Sequence, residues 1–533
     1  MRKLLLIAIV ALAAVLRLYK LGSVPPSLYW DEVSLGYNAY SILTTGHDEH
    51  GKSTPLTNFA AFGDYKPPGY IYAAVPAIAL FGLNEFAVRF PSALFGILTV
   101  VLTYLMARKL FENEIIAILA SFFLAISPWH IQFSRGAFEA NLGLFFSTLG
   151  IYTFLKFAKD GSKWLFLSGI SFIAAMYTFT GQRLFVPLIL VVLLIQFKKQ
   201  VFKNPGMILV TGIVSLIFIW PLFKFATQTL EGRLRFEEVN IFRDLAPSDE
   251  SIKYREQDKS AWWSQIIHNR RILYAHQYLI HYFDAFNPNF LFFRGDVNPR
   301  LSIQEVGELY YFDLILITTG IYFLFAKKFQ YRWLIIGWLL ISPLGPAIAR
   351  ETPHALRMIH ILPTFQLIGA FGLYNIYNKI KYKKVTVAVI CVTIFASLYY
   401  YLHMYYIHWP KNYSGSWQYG YKQAVQAVKE NLGEVDRVII TKSLGRPYIY
   451  FLFYLKFNPD EYLKTANITK DKFYFIDVQS FDKFTFTDSP GEFSSTDNAL
   501  FVTTPEELPK NAEKITTIYQ LDKKPIFDIG IIK

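Results

Sequence analysis

Residues 86–107 read FAVRFPSALFGILTVVLTYLMA, a run of 22 residues in which Arg89 is the only charged side chain. About 20 apolar residues in a helix are long enough to cross the hydrocarbon core of a bilayer. Further apolar segments lie at 4–18, 69–83, 115–133, 140–157, 164–180, 184–197, 207–226, 307–326, 333–349, 360–378 and 385–407. The sequence therefore predicts a polytopic α-helical membrane protein.

The composition sets this chain apart from soluble, disordered and disulfide-linked proteins. Of its 533 residues, 53% are hydrophobic and 17% are charged, whereas soluble domains carry about a quarter charged residues. The 49 Phe and 35 Tyr exclude a disordered chain, and the single cysteine, Cys391, excludes a disulfide framework. The net charge of +13 is spread between the apolar segments, which argues against a nucleic-acid-binding protein.

The loops between the apolar segments alternate in charge, and this alternation predicts an orientation. The basic loops lie at 2–3, 108–109, 156–163, 198–203, 327–332 and 379–384. The positive-inside rule makes them cytoplasmic, so that 19–68, 227–306 and the tail after 408 lie outside. The alternation holds throughout if 69–83, which follows Pro67-Pro68, does not cross the bilayer. We therefore expect about eleven crossings, with twelve or thirteen as alternatives. The chain is predicted to be a multi-pass protein of the plasma membrane with a cytoplasmic N-terminus.

The order of these segments predicts two domains. Residues 1–407 are predicted to form the transmembrane domain, with a first extracytoplasmic loop at 19–85 that holds juxtamembrane helices and a large one at 227–306. Residues 408–533 form an extracytoplasmic soluble α/β domain. Its predicted helix places Trp417, Tyr421, Ala424, Val425, Val428 and Leu432 on one face, and its predicted strands lie at 437–441, 472–478, 499–503 and 515–519.

Lone arginines occupy the predicted outer ends of the helices, where the positive-inside trend would not place them. They are Arg89, Arg135, Arg183, Arg350 and Arg357. A guanidinium offers a planar fork that binds phosphate or carboxylate through two parallel hydrogen bonds. These residues predict an anionic ligand at the outer face. The alternative for each is a local ion pair or snorkelling to the interface.

The first outer loop carries an acidic pair, Asp31-Glu32, at the start of a predicted amphipathic helix. A carboxylate at a helix N-terminus is stabilised by the backbone dipole, so the pair could serve only as a helix cap. The alternative is a carboxylate base at the membrane surface, within reach of an acceptor hydroxyl.

Several motifs in this part of the chain resemble those of the GT-C membrane glycosyltransferases. They are Asp31-Glu32 in the first outer loop, Lys66-Pro67-Pro68-Gly69-Tyr70, the run Phe86–Ser92, Ser134–Glu139, and Pro353-His354-Ala355-Leu356-Arg357 leading to Pro363. The sequence resembles in particular the protein O-mannosyltransferase and aminoarabinose (lipid A) transferase families. The resemblance covers about residues 15–190 strongly and continues in patches to 410, but it does not reach the tail.

This resemblance implies an inverting glycosyltransferase with a polyprenyl-phosphate sugar as donor and a lipid, glycan or protein as acceptor in the cell envelope. The catalytic carboxylate would be Asp31, with Glu32 beside it and Glu139 as a second acidic residue. The residues implied in substrate binding are Lys66, Arg89, Arg135, Arg183, Arg350, His354 and Arg357. The loop 227–306 is too short for the extra luminal modules of protein O-mannosyltransferases, which puts a eukaryotic-type protein acceptor in doubt.

Two other functions are compatible with the sequence: a transporter or flippase of a lipid-linked sugar, and a non-catalytic envelope scaffold. Transporters usually hold their ionisable residues in broken helices near the midplane, whereas here they cluster at the outer ends. The metal requirement stays open. His47, Asp48, Glu49 and His50 are candidate ligands of a divalent cation, but four consecutive loop residues seldom all point inward, so no metal site is assigned.

Overall fold

Alternating stretches of the chain build two units in the computed structural model, which describes residues 2–62, 64–230, 232, 240–470, 476–496 and 498–533. The helical unit comprises Met1–Leu16, Phe95–Ser134 and Glu139–Tyr401. The mixed unit comprises Arg17–Leu94, Arg135–Phe138 and Leu402–Lys533.

Most of the described chain is helical. The α-helices are α1 (Arg2–Leu18), α2 (Trp30–Thr45), α3 (Pro68–Phe81), α4 (Glu85–Phe111), α5 (Glu114–Ile126), α6 (Pro128–Arg135), α7 (Glu139–Asp160), α8 (Trp164–Thr178), α9 (Gln182–Gln196), α10 (Lys198–Lys203), α11 (Pro205–Gln228), α12 (Ala246–Gln257), α13 (Ser264–Ile267), α14 (Arg270–Asp284), α15 (Tyr311–Ala326), α16 (Arg332–Ile341), α17 (Ala355–Met358), α18 (Thr364–Lys379), α19 (Lys383–His403), α20 (Trp409–Asn412), α21 (Tyr421–Asn431), α22 (Pro447–Tyr454) and α23 (Pro459–Thr465). Short 3₁₀ or π turns lie at Ile241–Arg243, Asn289–Phe293, Ser342–Leu344, Pro346–Ile348, Ile359–Ile361, Met404–His408, Gly415–Trp417 and Pro490–Phe493.

The described strands belong to the mixed unit. They are β1 (Phe59–Ala61), β2 (Asp64–Lys66), β3 (Arg437–Thr441), β4 (Asn467–Lys470), β5 (Ile476–Phe481), β6 (Phe484–Thr487), β7 (Ala499–Thr503), β8 (Glu513–Tyr519) and β9 (Pro525–Ile532). β1 and β2 form an antiparallel hairpin in the first outer loop. The other seven form one sheet in the order β4-β5-β6-β3-β7-β9-β8, in which β3 is parallel to both β6 and β7.

Three described helices are long and apolar enough to cross a membrane: Glu85–Phe111, Pro205–Gln228 and Lys383–Asn412. The last two expose large apolar side chains, including Leu216, Ile217, Val392 and Phe395. Large contiguous apolar surface is rare on soluble monomers but suits contact with lipid. The chain is therefore an integral membrane protein.

Two further pairs of apolar helices are each bent at a break, as in a broken span or a re-entrant loop. Glu114–Ile126 and Pro128–Arg135 meet at 56°, and Ala355–Ile361 and Thr364–Lys379 meet at 52°. A proline lies at each break, where it removes a backbone hydrogen bond. Shorter apolar helices lie at Pro68–Phe81, Trp164–Thr178, Gln182–Gln196, Tyr311–Ala326 and Arg332–Ile348. The count of eleven crossings stays a prediction.

The tail forms the α/β structure that its sequence pattern indicates. β3 and β7 have the predicted bounds, and β8 begins two residues earlier than predicted. Part of the predicted strand 472–478 lies outside the described residues, and β5 begins at Ile476. The predicted helical face is divided, because Trp417 lies in a 3₁₀ turn and α21 begins at Tyr421.

The mixed unit groups the tail with the first outer loop. The Tyr37 hydroxyl donates a hydrogen bond to the Phe457 carbonyl at 3.0 Å, and Lys422 forms an ion pair with Glu85 at 2.7 Å. The predicted boundary at 407/408 divides the chain by sequence position, whereas these contacts join residues 420 and 337 positions apart. The predicted domain boundaries stay a prediction.

Candidate catalytic site

The acidic pair lies in the first turn of α2, which begins at Trp30. The Glu32 carboxylate folds back and accepts a hydrogen bond from the Tyr29 N–H at 3.1 Å, as a residue in this position of a helix often does. Asp31 points elsewhere, because successive residues on a helix are about 100° apart. Two neighbouring carboxylates therefore have different surroundings.

Glu32 is buried and forms a two-pronged ion pair with Arg89. Nε and Nη2 of Arg89 lie 2.9 Å and 3.0 Å from Oε1 and Oε2 of Glu32, and the Ala137 N–H donates to Oε1 at 2.7 Å. A buried pair of this kind is tolerated when further hydrogen bonds satisfy both partners. Glu32 thus holds Arg89 and the turn at Ala137 in place.

Arg89 also binds the segment that leads into α2. Its Nη1 donates to the carbonyls of Leu21 and Pro25 at 3.2 Å and 2.8 Å, and its Nη2 donates to the Ser27 carbonyl at 2.5 Å. These bonds and the pair with Glu32 use all five N–H groups that a guanidinium has. The ring of Trp417 covers the guanidinium, with its centroid 5.7 Å from Cζ. The predicted role in phosphate binding stays untested, but in this geometry every donor of Arg89 has a protein acceptor.

Arg135 is a second buried arginine that binds the same segment. Its Nη2 donates to the carbonyls of Tyr19 and Val24, both at 2.8 Å, and its Nε donates to the Tyr405 hydroxyl at 3.2 Å. The rings of Tyr405 and Tyr406 lie 5.3 Å and 5.2 Å from its Cζ. Two arginines thus fix the backbone of residues 19–27, and no sequence signal indicates carbonyl partners of this kind.

Asp31 is the accessible carboxylate of the pair. Its side chain is 38% exposed, and its Oδ1 lies 3.0 Å from Nζ of Lys66. Lys66 ends β2, directly before Pro67-Pro68, and its side chain is only 10% exposed. The hairpin therefore brings a mostly buried ammonium group to a carboxylate that a substrate can reach. The sequence indicated both residues but not their pairing.

Gln418 joins the start of α2 to the C-terminal sheet domain. Its Oε1 accepts hydrogen bonds from the Trp30 N–H at 3.1 Å and from the Tyr450 hydroxyl at 2.6 Å, and its Nε2 donates to the Leu444 carbonyl at 3.0 Å. Gly445 packs so closely on Trp30 that a Cβ there would lie 2.4 Å from the indole ring. No sequence motif marks this connection.

His354 and Arg357 lie in the helical unit beside two acids, Asp296 and Glu308, that no sequence motif marks. Asp296 accepts a hydrogen bond from the Ala355 N–H at 2.7 Å, and Glu308 accepts one from the Asp296 N–H at 3.0 Å. Burial raises the pKa of the Asp296 carboxyl group. Burial, followed by the charges of Arg357 and Arg300, lowers the pKa of His354 to about 3, so its imidazole is neutral at physiological pH.

The other predicted site residues of the helical unit, Arg183, Arg350 and Glu139, lie at separate places along the chain. Arg183 is half-buried in the first turn of α9, and its Nε donates to the Met176 carbonyl at 3.3 Å. Arg350 is exposed and donates to the Asn240 carbonyl at 3.3 Å. Glu139 is the first residue of α7. Their predicted roles stay predictions.

The two acidic side chains of the loop 47–50 are bound by neighbouring protein groups. Asp48 accepts hydrogen bonds from the N–H groups of His50 and Lys52, and Glu49 is buried against Asn38, whose Nδ2 lies 3.0 Å away. Burial raises the pKa of Glu49 to about 8. Among the described residues, no three His, Cys, Asp or Glu side chains are grouped so that they could hold a metal ion.

Comparison with known proteins supports the resemblance that the motifs indicate. Residues 65–224 match the family described as dolichyl-phosphate-mannose-protein mannosyltransferase. An uncharacterised protein of Aquifex aeolicus (strain VF5) is 30% identical over 179 residues. The match spans 33% of this chain and 35% of that relative, about a third of its length.

Solved structures show the same fold along nearly the whole chain. ArnT from Cupriavidus metallidurans in the apo state has a TM-score of 0.59 at 11% identity, over 98% of this chain and 97% of that one. ArnT bound to undecaprenyl phosphate gives 0.56 with the same identity and coverage. The Archaeoglobus fulgidus oligosaccharyltransferase AglB, in complex with an inhibitory peptide and a dolichol-phosphate, gives 0.53 at 13% identity, over 94% of this chain and 69% of that one. The predicted resemblance to the GT-C superfamily is thereby confirmed, and at these identities the solved structures establish the fold alone.

Proposed function

We propose that this chain is an inverting glycosyltransferase that transfers a sugar from a polyprenyl-phosphate donor to a lipid, glycan or protein acceptor. The observation that carries the proposal is the accessible Asp31 carboxylate, paired with Lys66 and placed beside the buried Glu32–Arg89 pair. The mannosyltransferase family match begins at residue 65 and so includes Lys66. The complexes of ArnT with undecaprenyl phosphate and of AglB with dolichol-phosphate support a lipid-linked donor.

Asp31 acts as the general base in this reaction. The carboxylate takes the proton from the acceptor hydroxyl while the hydroxyl oxygen attacks the anomeric carbon. The bond between that carbon and the phosphate oxygen breaks, and its electron pair leaves with the polyprenyl phosphate. Because attack and departure take place on opposite faces of the sugar, the configuration inverts. A phosphate leaving group needs neutralisation of its charge instead of a proton, and cations supply this.

Lys66 is the cation that we assign to the donor phosphate, because its ammonium group contacts the base. The roles in substrate binding that the resemblance implies for Arg350, His354 and Arg357, in the helical unit, stay predictions. We assign Arg89 and Arg135 to positioning, because they hold the backbone before α2.

The proposed reaction takes place on the extracytoplasmic face of the plasma membrane. This placement follows from the lysine-rich loops, which the positive-inside rule assigns to the cytoplasm. It also requires the predicted eleven crossings, with α3 lying outside or re-entrant. The 408–533 domain would then lie on the same side as Asp31.

Reconstituted protein supplied with several labelled polyprenyl-phosphate sugars provides the test. Asp31→Asn keeps the shape of the side chain but removes its basicity, so turnover should fall by about 10²–10⁴ while donor binding survives. The exposed Glu434→Gln variant serves as the control. An active Asp31→Asn enzyme together with an inactive Glu139→Gln enzyme would move the base to Glu139. Full activity of both variants would refute the proposed mechanism.

A further inference from the structure

A cavity of about 500 Å³ opens in the C-terminal sheet domain. It lies at the carboxyl ends of β3 and β6, and its polar lining consists of Lys442, Arg446, Asp477 and Asp488. Tyr448 and Phe486 form an apolar part of the wall. The carboxyl ends of parallel strands are a common place for ligands, and the volume is in the usual range for a small-molecule site. We call it the β3–β6 pocket.

The two cations of the β3–β6 pocket, Lys442 and Arg446, differ in their hydrogen-bond and ion-pair partners. Nζ of Lys442 lies 2.9 Å from Oδ2 of Asp477 and 3.2 Å from Oε1 of Gln479, so its charge is already neutralised. Arg446 is partly buried, and within the described ranges it forms no hydrogen bond or ion pair. Its guanidinium lies over the Phe62 ring, 5.8 Å from the centroid. Stacking holds the fork in position and leaves its N–H groups for a ligand.

The backbone beside Arg446 also favours an anion. α22 begins at Pro447, directly after Arg446, and the free N–H groups and dipole of a helix N-terminus attract negative charge. The turn before it depends on Gly445, which has a φ of +116° and packs against Trp30. Arg446 and the first residues of α22, Pro447 and Tyr448, all line the pocket.

The rest of the lining limits the ligand to one carrying a single negative charge. Asp477 is neutralised by Lys442, but Asp488 is exposed and would repel a dianion such as a phosphate monoester. The Asp488 carboxylate can instead accept hydrogen bonds from hydroxyl groups. The apolar wall suits the carbon-bound face of a sugar ring.

We propose that the β3–β6 pocket binds a saccharide that carries a carboxylate. The Arg446 fork binds the carboxylate through two parallel hydrogen bonds, Asp488 accepts from ring hydroxyls, and the sugar lies against Tyr448 and Phe486. Gly445, in the lining of the pocket, packs against Trp30, the residue before Asp31. Saccharide binding in this pocket goes beyond the proposed transfer and does not depend on it.

Calorimetric binding to the purified full chain in detergent tests the proposal. Glucuronate, a sugar with one carboxylate, should bind, whereas neutral glucose should bind at least ten-fold more weakly. Arg446→Gln should weaken glucuronate binding at least ten-fold, and Arg446→Lys should weaken it several-fold, because the charge stays but the fork is lost. The matched control is Arg437→Gln, at the opposite end of β3.

The outcomes separate this site from the transfer reaction. Equal binding of glucose, or undiminished glucuronate binding by a folded Arg446→Gln or Arg446→Lys protein, would overturn the proposal. Tighter binding of glucose 6-phosphate would overturn the assignment to a carboxylate. Asp31→Asn should bind glucuronate as the wild type does. Binding by a protein that transfers no sugar would refute only the proposed function, and transfer by a protein that binds no glucuronate would refute only the pocket.

Discussion

The acidic pair Asp31-Glu32 was predictable from the sequence, but the partner of each carboxylate was not. The sequence indicates an acidic pair, a lysine and an arginine, and the structure pairs Asp31 with Lys66 and Glu32 with Arg89. The pairing was not predictable, because it depends on where the β1–β2 hairpin and α4 lie relative to the first turn of α2. Five backbone carbonyls bind Arg89 and Arg135, and carbonyls carry no residue identity that a sequence pattern could mark.

Glu32→Gln tests the structural role of the buried pair. The substitution leaves the Arg89 charge buried without its counter-ion, and breaking a buried pair in this way costs about 3–5 kcal/mol. We therefore expect a clear drop in the thermal unfolding midpoint in detergent. Asp31→Asn, at a partly exposed position, should leave the midpoint almost unchanged and serves as the control. A Glu32→Gln protein as stable as the wild type would contradict the role given to this pair.

Glu49 makes stability depend on pH. Its pKa is about 8 in the folded protein and about 4.3 in an unfolded chain. Between these values the folded state holds a proton that the unfolded state has released. Stability should therefore fall as pH rises from about 5 to about 8, by at most about 1.4 kcal/mol per pH unit.

Glu49→Gln should flatten this dependence, because the neutral amide does not titrate. Unfolding midpoints measured between pH 5 and 9 provide the comparison, with the exposed Glu434→Gln variant as the reference. If the Glu49→Gln and wild-type curves stay parallel over the whole range, Glu49 does not titrate in the way that its burial indicates.

Helices and strands were predictable where a local pattern of apolar and polar residues specifies them. The helix that begins at the acidic pair, the strands β3 and β7, and the position of α21 follow from periodicity and flanking residues. β9 was missed because Pro525 and Gly530 interrupt its pattern, and it is held by pairing with both β7 and β8. The division of the helices at Pro128 and Pro363 was missed because the flanking apolar runs are continuous in the sequence.

The start of α2 depends on an element almost 400 residues away. Gln418 accepts a hydrogen bond from the Trp30 N–H and is itself held by Tyr450 and Leu444. Gln418→Leu keeps the volume of the side chain but leaves these groups unpaired, each at about 1–3 kcal/mol. Because Trp30 precedes the proposed base, we expect kcat to fall by about ten-fold or more, with a smaller change in the KM for the donor.

The exposed Gln426→Leu variant on α21 is the matched control, since it changes the same side chain without touching α2. A purely structural role would lower the amount of folded enzyme but leave kcat per folded molecule unchanged. That result would contradict the role of Gln418 in positioning the base.

At the scale of the whole molecule, the mixed unit restricts the topology. Residues 17–94 and 402–533 are joined by the Trp30–Gln418 hydrogen bond, the Tyr37–Phe457 hydrogen bond and the Glu85–Lys422 ion pair. Segments joined in this way must lie on one side of the membrane. The sequence predicted the same placement from lysine-rich loops, an independent argument that uses none of these contacts.

Cysteine labelling in intact cells tests this topology. In a Cys391→Ser background, single cysteines at Leu56, Asn84 and Glu434 should react with a membrane-impermeant maleimide added outside. Cysteines at Lys163 and Lys203, in two of the lysine-rich loops, should react only after the cells are opened. Opposite accessibility of Leu56 and Glu434 would contradict the mixed unit itself. A cytoplasmic Asn84 with an external Leu56 would mean that α3 crosses the bilayer, and external labelling of Lys163 would reverse the predicted orientation.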